Sequence, residues 1–177
     1  RVWFALYCGE PKNPEGGLVK QKWLDDWRLP LAPLAPVFTV VAVDPSDSGS
    51  GDSCGLIAAS MTGRGTVAMI TDKSAPMTSD AWARAAVELA IEVGASEISV
   101  EGFSARETYT RVVNEAIGRA TASGTLNRTI KVSAWPPKGR ARVGDAVARS
   151  AALLQALEVG TCRLAGYFPE FETKATA

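Results

Sequence analysis

Two acidic residues mark the places where this sequence could do chemistry. Asp44 ends the run Val40-Val41-Ala42-Val43-Asp44-Pro45-Ser46, and Glu101 ends Ile98-Ser99-Val100-Glu101. Each is a carboxylate at the end of an apolar, β-branched stretch, where a buried strand is expected to run out. A carboxylate is costly to desolvate, so it is either a turn residue there or it holds something that needs its charge. The two stand 57 positions apart. If their strands are parallel neighbours, both carboxylates emerge on one rim of a sheet. Two charges that close repel, unless one takes a proton or a cation lies between them. Magnesium and manganese are the natural cations, being hard ions served by a few carboxylates, waters and phosphate oxygens. Two such ions, roughly 3.5–4 Å apart, can activate water and stabilise the leaving oxygen in phosphodiester cleavage.

What the chain lacks narrows the chemistry further. It has no histidine, which excludes Ser-His-Asp and Cys-His catalysis and the usual zinc hydrolase sites. Cys8, Cys54 and Cys162 are far apart with no CxxC pair, so they read as small apolar thiols rather than zinc ligands or a disulfide framework. Other acids have blander readings. Asp52 lies in a glycine-rich turn and could approach a metal, but a turn role suits it better. Asp72 follows a strand, and Asp145 suits the start of a helix. Lys138, Arg140 and Arg142, with Arg149 on the next helix, form a basic run that could contact DNA phosphates or simply be solvated. Arg106 and Arg111, just past Glu101, are weaker candidates for the same contact. Trp82, Phe103 and Tyr109 read as core.

The elements that must position these residues follow from periodicity. Strands are expected at 37–43, 53–60 and 65–71, the last two joined by Thr62-Gly63-Arg64-Gly65 as a hairpin. A helix over 78–93 places Trp82, Ala85, Ala86, Leu89 and Val93 on one face, capped by Thr78 or Ser79 and stopped by Gly94. Strand 97–100, helix 105–122, strand 129–134, helix 143–157 and a short strand 162–164 follow, and Phe168-Pro169-Glu170-Phe171-Glu172 opens one more helix. Three antiparallel strands followed by two βα crossovers make a mixed α/β sheet with helices on its faces. Residues 1–36 differ, holding Trp3, Trp23 and Trp27 and the segment Arg28-Leu29-Pro30-Leu31-Ala32-Pro33-Leu34-Ala35-Pro36, which cannot be a regular helix and reads as a connector. With 177 residues, 46% of them apolar, the chain is one domain with an appendage, and no apolar run suffices to span a bilayer. Lys plus Arg and Asp plus Glu balance at 19 each. A dedicated nucleic-acid binder is usually basic, so the balance argues against one unless the charge is unevenly placed or another domain grips the nucleic acid.

The segments VAVDPS, GDSCGL, TDKSAPMTSDAWARAAV, ISVEGFSARETYTRVV and AVARSAALLQALEVGTCRLAGYFPEFE, in this order and spacing, resemble the C-terminal nuclease domain of phage large terminases. The likeness covers about residues 37–172. It implies an RNase H-like fold and a metal-dependent endonuclease acting on concatemeric double-stranded DNA with little sequence preference. Asp44 and Glu101 match the first two acids of that family, which would hold two Mg2+ or Mn2+ ions. The family's third acid lies beyond the position of Ala177, and its lysine three or four residues before the arginine matched by Arg149 is Asp145 or Ala146 here. The resemblance further implies partners: an ATPase half preceding residues 1–36, which contain no GxxxxGK[ST], a small terminase subunit and a portal, in the cytoplasm of a bacterial host. Three other readings remain open. One is another RNase H-like nuclease, a resolvase or transposase core. The second is an actin- or sugar-kinase-like ATP-binding domain with DPSDSGSGDSCG as its phosphate loop. The third is a non-catalytic docking module of the motor.

Overall fold

In the computed structural model the described residues are 17–45, 53–103, 105–139 and 146–177. They form strands β1 (Phe38–Asp44), β2 (Gly55–Met61), β3 (Val67–Asp72), β4 (Glu97–Glu101), β5 (Lys131–Trp135) and β6 (Cys162–Leu164), and helices α1 (Gln21–Asp26), α2 (Ser79–Glu92), α3 (Arg106–Ala122), α4 (Ala146–Glu158) and α5 (Pro169–Thr176). The strands make one six-stranded mixed sheet in the order β5-β4-β1-β2-β3-β6. β1 to β3 are antiparallel, whereas β4 is parallel to both β1 and β5, and β6 to β3. This is the mixed α/β sheet expected from the order of the elements, and the RNase H-like architecture that the resemblance implies.

The described residues fall into two compact units, 38–59 with 73–139, and 17–37 with 60–72 and 146–177. In the first, β1 alternates. Thr39, Val41 and Val43 are buried, whereas Val40 and Ala42 on the other face are not. β4 repeats this, with Ile98 and Val100 buried between half-exposed Glu97, Ser99 and Glu101. Helices α2 and α3 pack against these strands and each other. Trp82 on α2, fully buried, meets Tyr109 on α3 edge to face at 5.8 Å. Phe103, the third aromatic expected in the core, is only half-buried. The buried stripe of α2 also includes Ala83, Val87 and Ala90, whereas Ala85 and Val93 are half-buried, because the helix is covered over a wider arc than one stripe. Thr78 has the extended backbone of an N-cap, but its side chain makes no capping bond. At the other end the helix stops at Gly94, φ +67°. Arg128 then donates to the carbonyl of Ala90, in the last turn, at 2.8 Å and to that of Ala95, just past the helix, at 2.6 Å, tying the helix end to the segment that leads into β5.

In the second unit, the β2–β3 hairpin closes through Thr62 N–H to the Thr66 carbonyl at 2.9 Å. The proline-rich run is irregular, and Leu31 and Leu34 are exposed. The residues before it are packed. Val19 and Leu24 are buried, and Leu29 exchanges backbone bonds with Leu164 and Gly166. Arg28 and Glu172 form a buried ion pair at 2.8 Å, joining this segment to α5. Pro169 occupies the first turn of α5 and Phe171 is buried there, as its missing donor and apolar ring favour.

Candidate active site

β1 and β4 lie side by side in parallel, with Val40 opposite Glu97, Ala42 opposite Ser99 and Val43 opposite Val100. One step further along this register, Asp44 and Glu101 are each the last residue of their strand. Their backbones are therefore about one strand spacing, roughly 4.8 Å, apart. Side chains alternate along a strand, so both leave the sheet on the face of Val40, Ala42, Glu97 and Ser99, opposite the Val41–Ile98 and Val43–Val100 core. Asp44 is only 9% exposed. Glu101 is half-buried, and its Oε1 is fully buried. Local chemistry explains why these strands end there: Pro45 cannot donate to a continuing ladder, and Gly102 turns the chain, its N–H bonding to the Trp135 carbonyl at 2.7 Å.

Gly55, at the start of β2, is a site residue that the acidic pattern could not single out. A Cβ built on it would lie 3.3 Å from the Asp44 Cβ, tighter than ordinary packing. The glycine thus lets β2 pass against Asp44 without pushing it. Gly55→Val is expected to displace the carboxylate while leaving the sheet intact. Any activity that depends on the Asp44 carboxylate should fall roughly 10- to 100-fold, since about 1 Å of misplacement can cost that much. Thermal unfolding of the variant, followed by circular dichroism, checks that the fold persists.

The same face carries a polar cluster farther from the rim. Glu97 accepts hydrogen bonds from Lys131 Nζ at 3.1 Å and from the Ser133 hydroxyl. Both donors stand on β5, in register with Glu97 and Ser99. Arg106 serves the fold here. Its guanidinium donates to the carbonyls of Ala134, at 3.2 Å, and Pro136. Arg111 pairs with Glu115 one turn along α3 at 3.0 Å. Lys138 is 79% exposed, with Nζ 3.4 Å from Glu107. The Glu107 carboxyl is held below its ordinary range, first by its own backbone N–H and then by Lys138. Asp52, Arg140, Arg142 and Asp145 lie outside the described residues, as does the side chain of Arg149. Asp72 is the last residue of β3. Cys54 is buried and Cys162 half-buried, and burial raises the Cys162 thiol, in keeping with inert apolar thiols.

The donor set suits a hard divalent cation. Carboxylate oxygens from adjacent strands are the ligands Mg2+ and Mn2+ accept, with waters and substrate oxygens filling the remaining positions. Among the described residues no three His, Cys, Asp or Glu side chains cluster to hold a metal. Also among these residues, no helix is long and apolar enough to cross a membrane.

No protein-family model matches the chain, and no curated protein does. Solved structures do. The nuclease domain of the large terminase subunit gp2 of bacterial virus Sf6 superposes with a TM-score of 0.61 at 18% identity, over 89% of this chain and 78% of that one. A point variant of that domain with calcium gives 0.62 at 17% identity, and one with manganese 0.60 at 17%, both at the same coverage. At such identities the likeness establishes the fold: this chain has the RNase H-like architecture of a phage large-terminase nuclease domain.

Proposed function

We propose that the chain is a divalent-metal-dependent endonuclease domain acting on double-stranded DNA, and that it belongs to a viral DNA-packaging terminase. The observation that carries this reading is the pair Asp44 and Glu101, the terminal residues of adjacent parallel strands, on one face of the sheet. The Sf6 nuclease domain, solved with manganese and with calcium, supports the metal and the reaction class. Asp44 and Glu101 would hold Mg2+ or Mn2+, two ions in all. When bound, the ions would lower the pKa of water and neutralise charge on the departing 3′ oxygen. The carboxylates bring the negative charge that draws the cations to this rim. Partial burial strengthens that attraction by reducing solvent screening.

DNA would be gripped through its backbone, by Lys138 and by Arg140, Arg142 and Arg149, so cleavage would show little sequence preference. With equal numbers of basic and acidic residues, the domain would bind weakly by itself. Targeting to concatemers would fall to an ATPase half, a small terminase subunit and a portal. Lys138→Gln is expected to weaken binding to all duplexes alike and to reduce the slope of log Kd against log salt by about 1, as read by fluorescence anisotropy. The direct test of the proposal is nicking of supercoiled plasmid with manganese, magnesium or a chelator. Nicking that persists in chelator, or its absence with both metals, would overturn it.

A further inference from the structure

Trp135 ends β5 in register with Glu101 and is 57% exposed. Asp44, Glu101 and Trp135 are therefore the terminal residues of three adjacent parallel strands, one row across the sheet. Alternation puts the indole on the carboxylate face, the same face on which Lys131 and Ser133 reach Glu97. The strand end beneath the indole is held at three successive carbonyls. Arg106 donates to Ala134 and to Pro136, and the Gly102 N–H donates to Trp135 itself. On the opposite face Ala134, Gly102 and Arg106 crowd together, since a Cβ on Gly102 would meet the Ala134 Cβ at 3.1 Å and the Arg106 Cζ at 3.2 Å. An aromatic ring is thus presented to solvent from a fixed backbone.

The surroundings select what such a ring can hold. Its face of the sheet carries Glu97, Ser99, Lys131 and Ser133, with exposed Lys138 three residues on. That is a polar neighbourhood rather than the contiguous apolar patch of a protein interface. A single indole among polar and cationic groups suits a flat, polar-edged partner, and every nucleobase offers such a face. Trp135 and Asp44 are two strand spacings apart, roughly 10 Å, or two to three nucleotides of stacked strand at about 3.4 Å each. We propose that Trp135 stacks on an unpaired base of the DNA strand held at Asp44 and Glu101, within two or three nucleotides of the phosphate to be cut. This rests on the nuclease reading above, and it implies that the strand is locally opened at the site, because base faces are occupied within a duplex.

The test measures binding of labelled DNA to the full chain in calcium, by anisotropy. Three probes are compared: a paired duplex, the duplex with a single-stranded gap, and that gap with its bases replaced by abasic positions. The wild-type chain is expected to bind the base-containing gap most tightly. Trp135→Ala should lose this preference and bind the gap about 5- to 150-fold more weakly, the range for one stacked base. Trp135→Phe should keep most of it, and because the side chain is exposed both variants should melt close to wild type. Equal affinity of wild type and Trp135→Ala for the gap would overturn the proposal. So would a change confined to oligomeric state in sedimentation, which would assign the indole to a contact between copies. Trp135-dependent gap binding without any cleavage would refute the nuclease reading and leave the stacking role standing. Asp44-dependent cleavage with unchanged gap binding in Trp135→Ala would do the reverse. Failure of the wild type to bind any of the probes would overturn both.

Discussion

Asp44→Asn is expected to reduce manganese-dependent plasmid nicking by roughly a thousandfold. Asparagine keeps the size and one oxygen of the side chain but removes the charge. A metal ion in such a site contributes several kcal/mol of transition-state stabilisation, and about 4 kcal/mol corresponds to three orders of magnitude in rate. Asp44 is nearly buried, so solvent cannot readily supply a replacement ligand of equal charge. Because Glu101 stands next in the register, Glu101→Gln should show a loss of the same order. The double variant should be little worse than either single one, since both would disable one metal centre. Initial nicking rates at saturating manganese, with melting temperatures as a control, decide the matter. An Asp44→Asn variant that folds and cuts at the wild-type rate would remove Asp44 from the active site.

Glu172→Gln is expected to destabilise the chain by about 1–3 kcal/mol at neutral pH, since Arg28 loses its buried partner and keeps only the exposed Asp25 carboxylate at 2.7 Å. Glu172 accepts bonds from Arg28 at 2.8 Å, from the Phe168 N–H at 2.8 Å and from Gln21 at 3.3 Å. Arg28 also donates to the Gly166 carbonyl at 2.7 Å and lies over the Tyr167 ring at 4.2 Å. Burial alone would raise the Glu172 carboxyl, but Arg28, the Phe168 N–H and Gln21 outweigh it and hold the group below its ordinary value of 4.5. A depressed folded-state value means the stabilisation is complete above the unfolded value and is lost as pH falls through the folded one. The gap between wild type and Glu172→Gln in urea unfolding should therefore be full at neutral pH and shrink below pH 4.5. Replacing both partners, Arg28→Met with Glu172→Leu, should recover most of the stability, since desolvation offsets much of the pair's attraction. A Glu172→Gln variant as stable as wild type at neutral pH would show that the pair contributes nothing.

The positions of the strands and helices could be read locally because each announces itself within a few residues. Val37 to Val43 is a β-branched run that could hardly be anything but a strand, and the Trp82–Leu89 spacing repeats at the helical period. Gly94 and Gly160, with φ of +67° and +74°, punctuate the helices before them as glycines at such positions do. Other features were silent for a physical reason. Arg28 and Glu172 are 144 positions apart, and neither neighbourhood hints at a partner. Arg128 carries no local signal of its role, because the end of α2 comes within its reach only in the fold. Trp135 lies one residue past the strand expected at 129–134 and closes β5 in the structure; its exposure is a property of what packs above a residue, which no pattern of neighbours encodes. Gly55 was hidden in a glycine-rich stretch, where its closeness to Asp44 depends on two strands meeting.

By itself the sequence determined the periodic elements, the mixed sheet implied by their order, and the exclusion of histidine chemistry. These depend on local backbone preference and burial pattern, which act over short separations. Only the tertiary structure decided that β1 and β4 are parallel neighbours whose register ends in two carboxylates, with Trp135 completing the row. Register follows from how whole strands and helices share one core. A slip of one residue in β4 would turn Glu101 to the opposite face and carry Ile98 and Val100 out of the core, so the shared buried face is what holds the register.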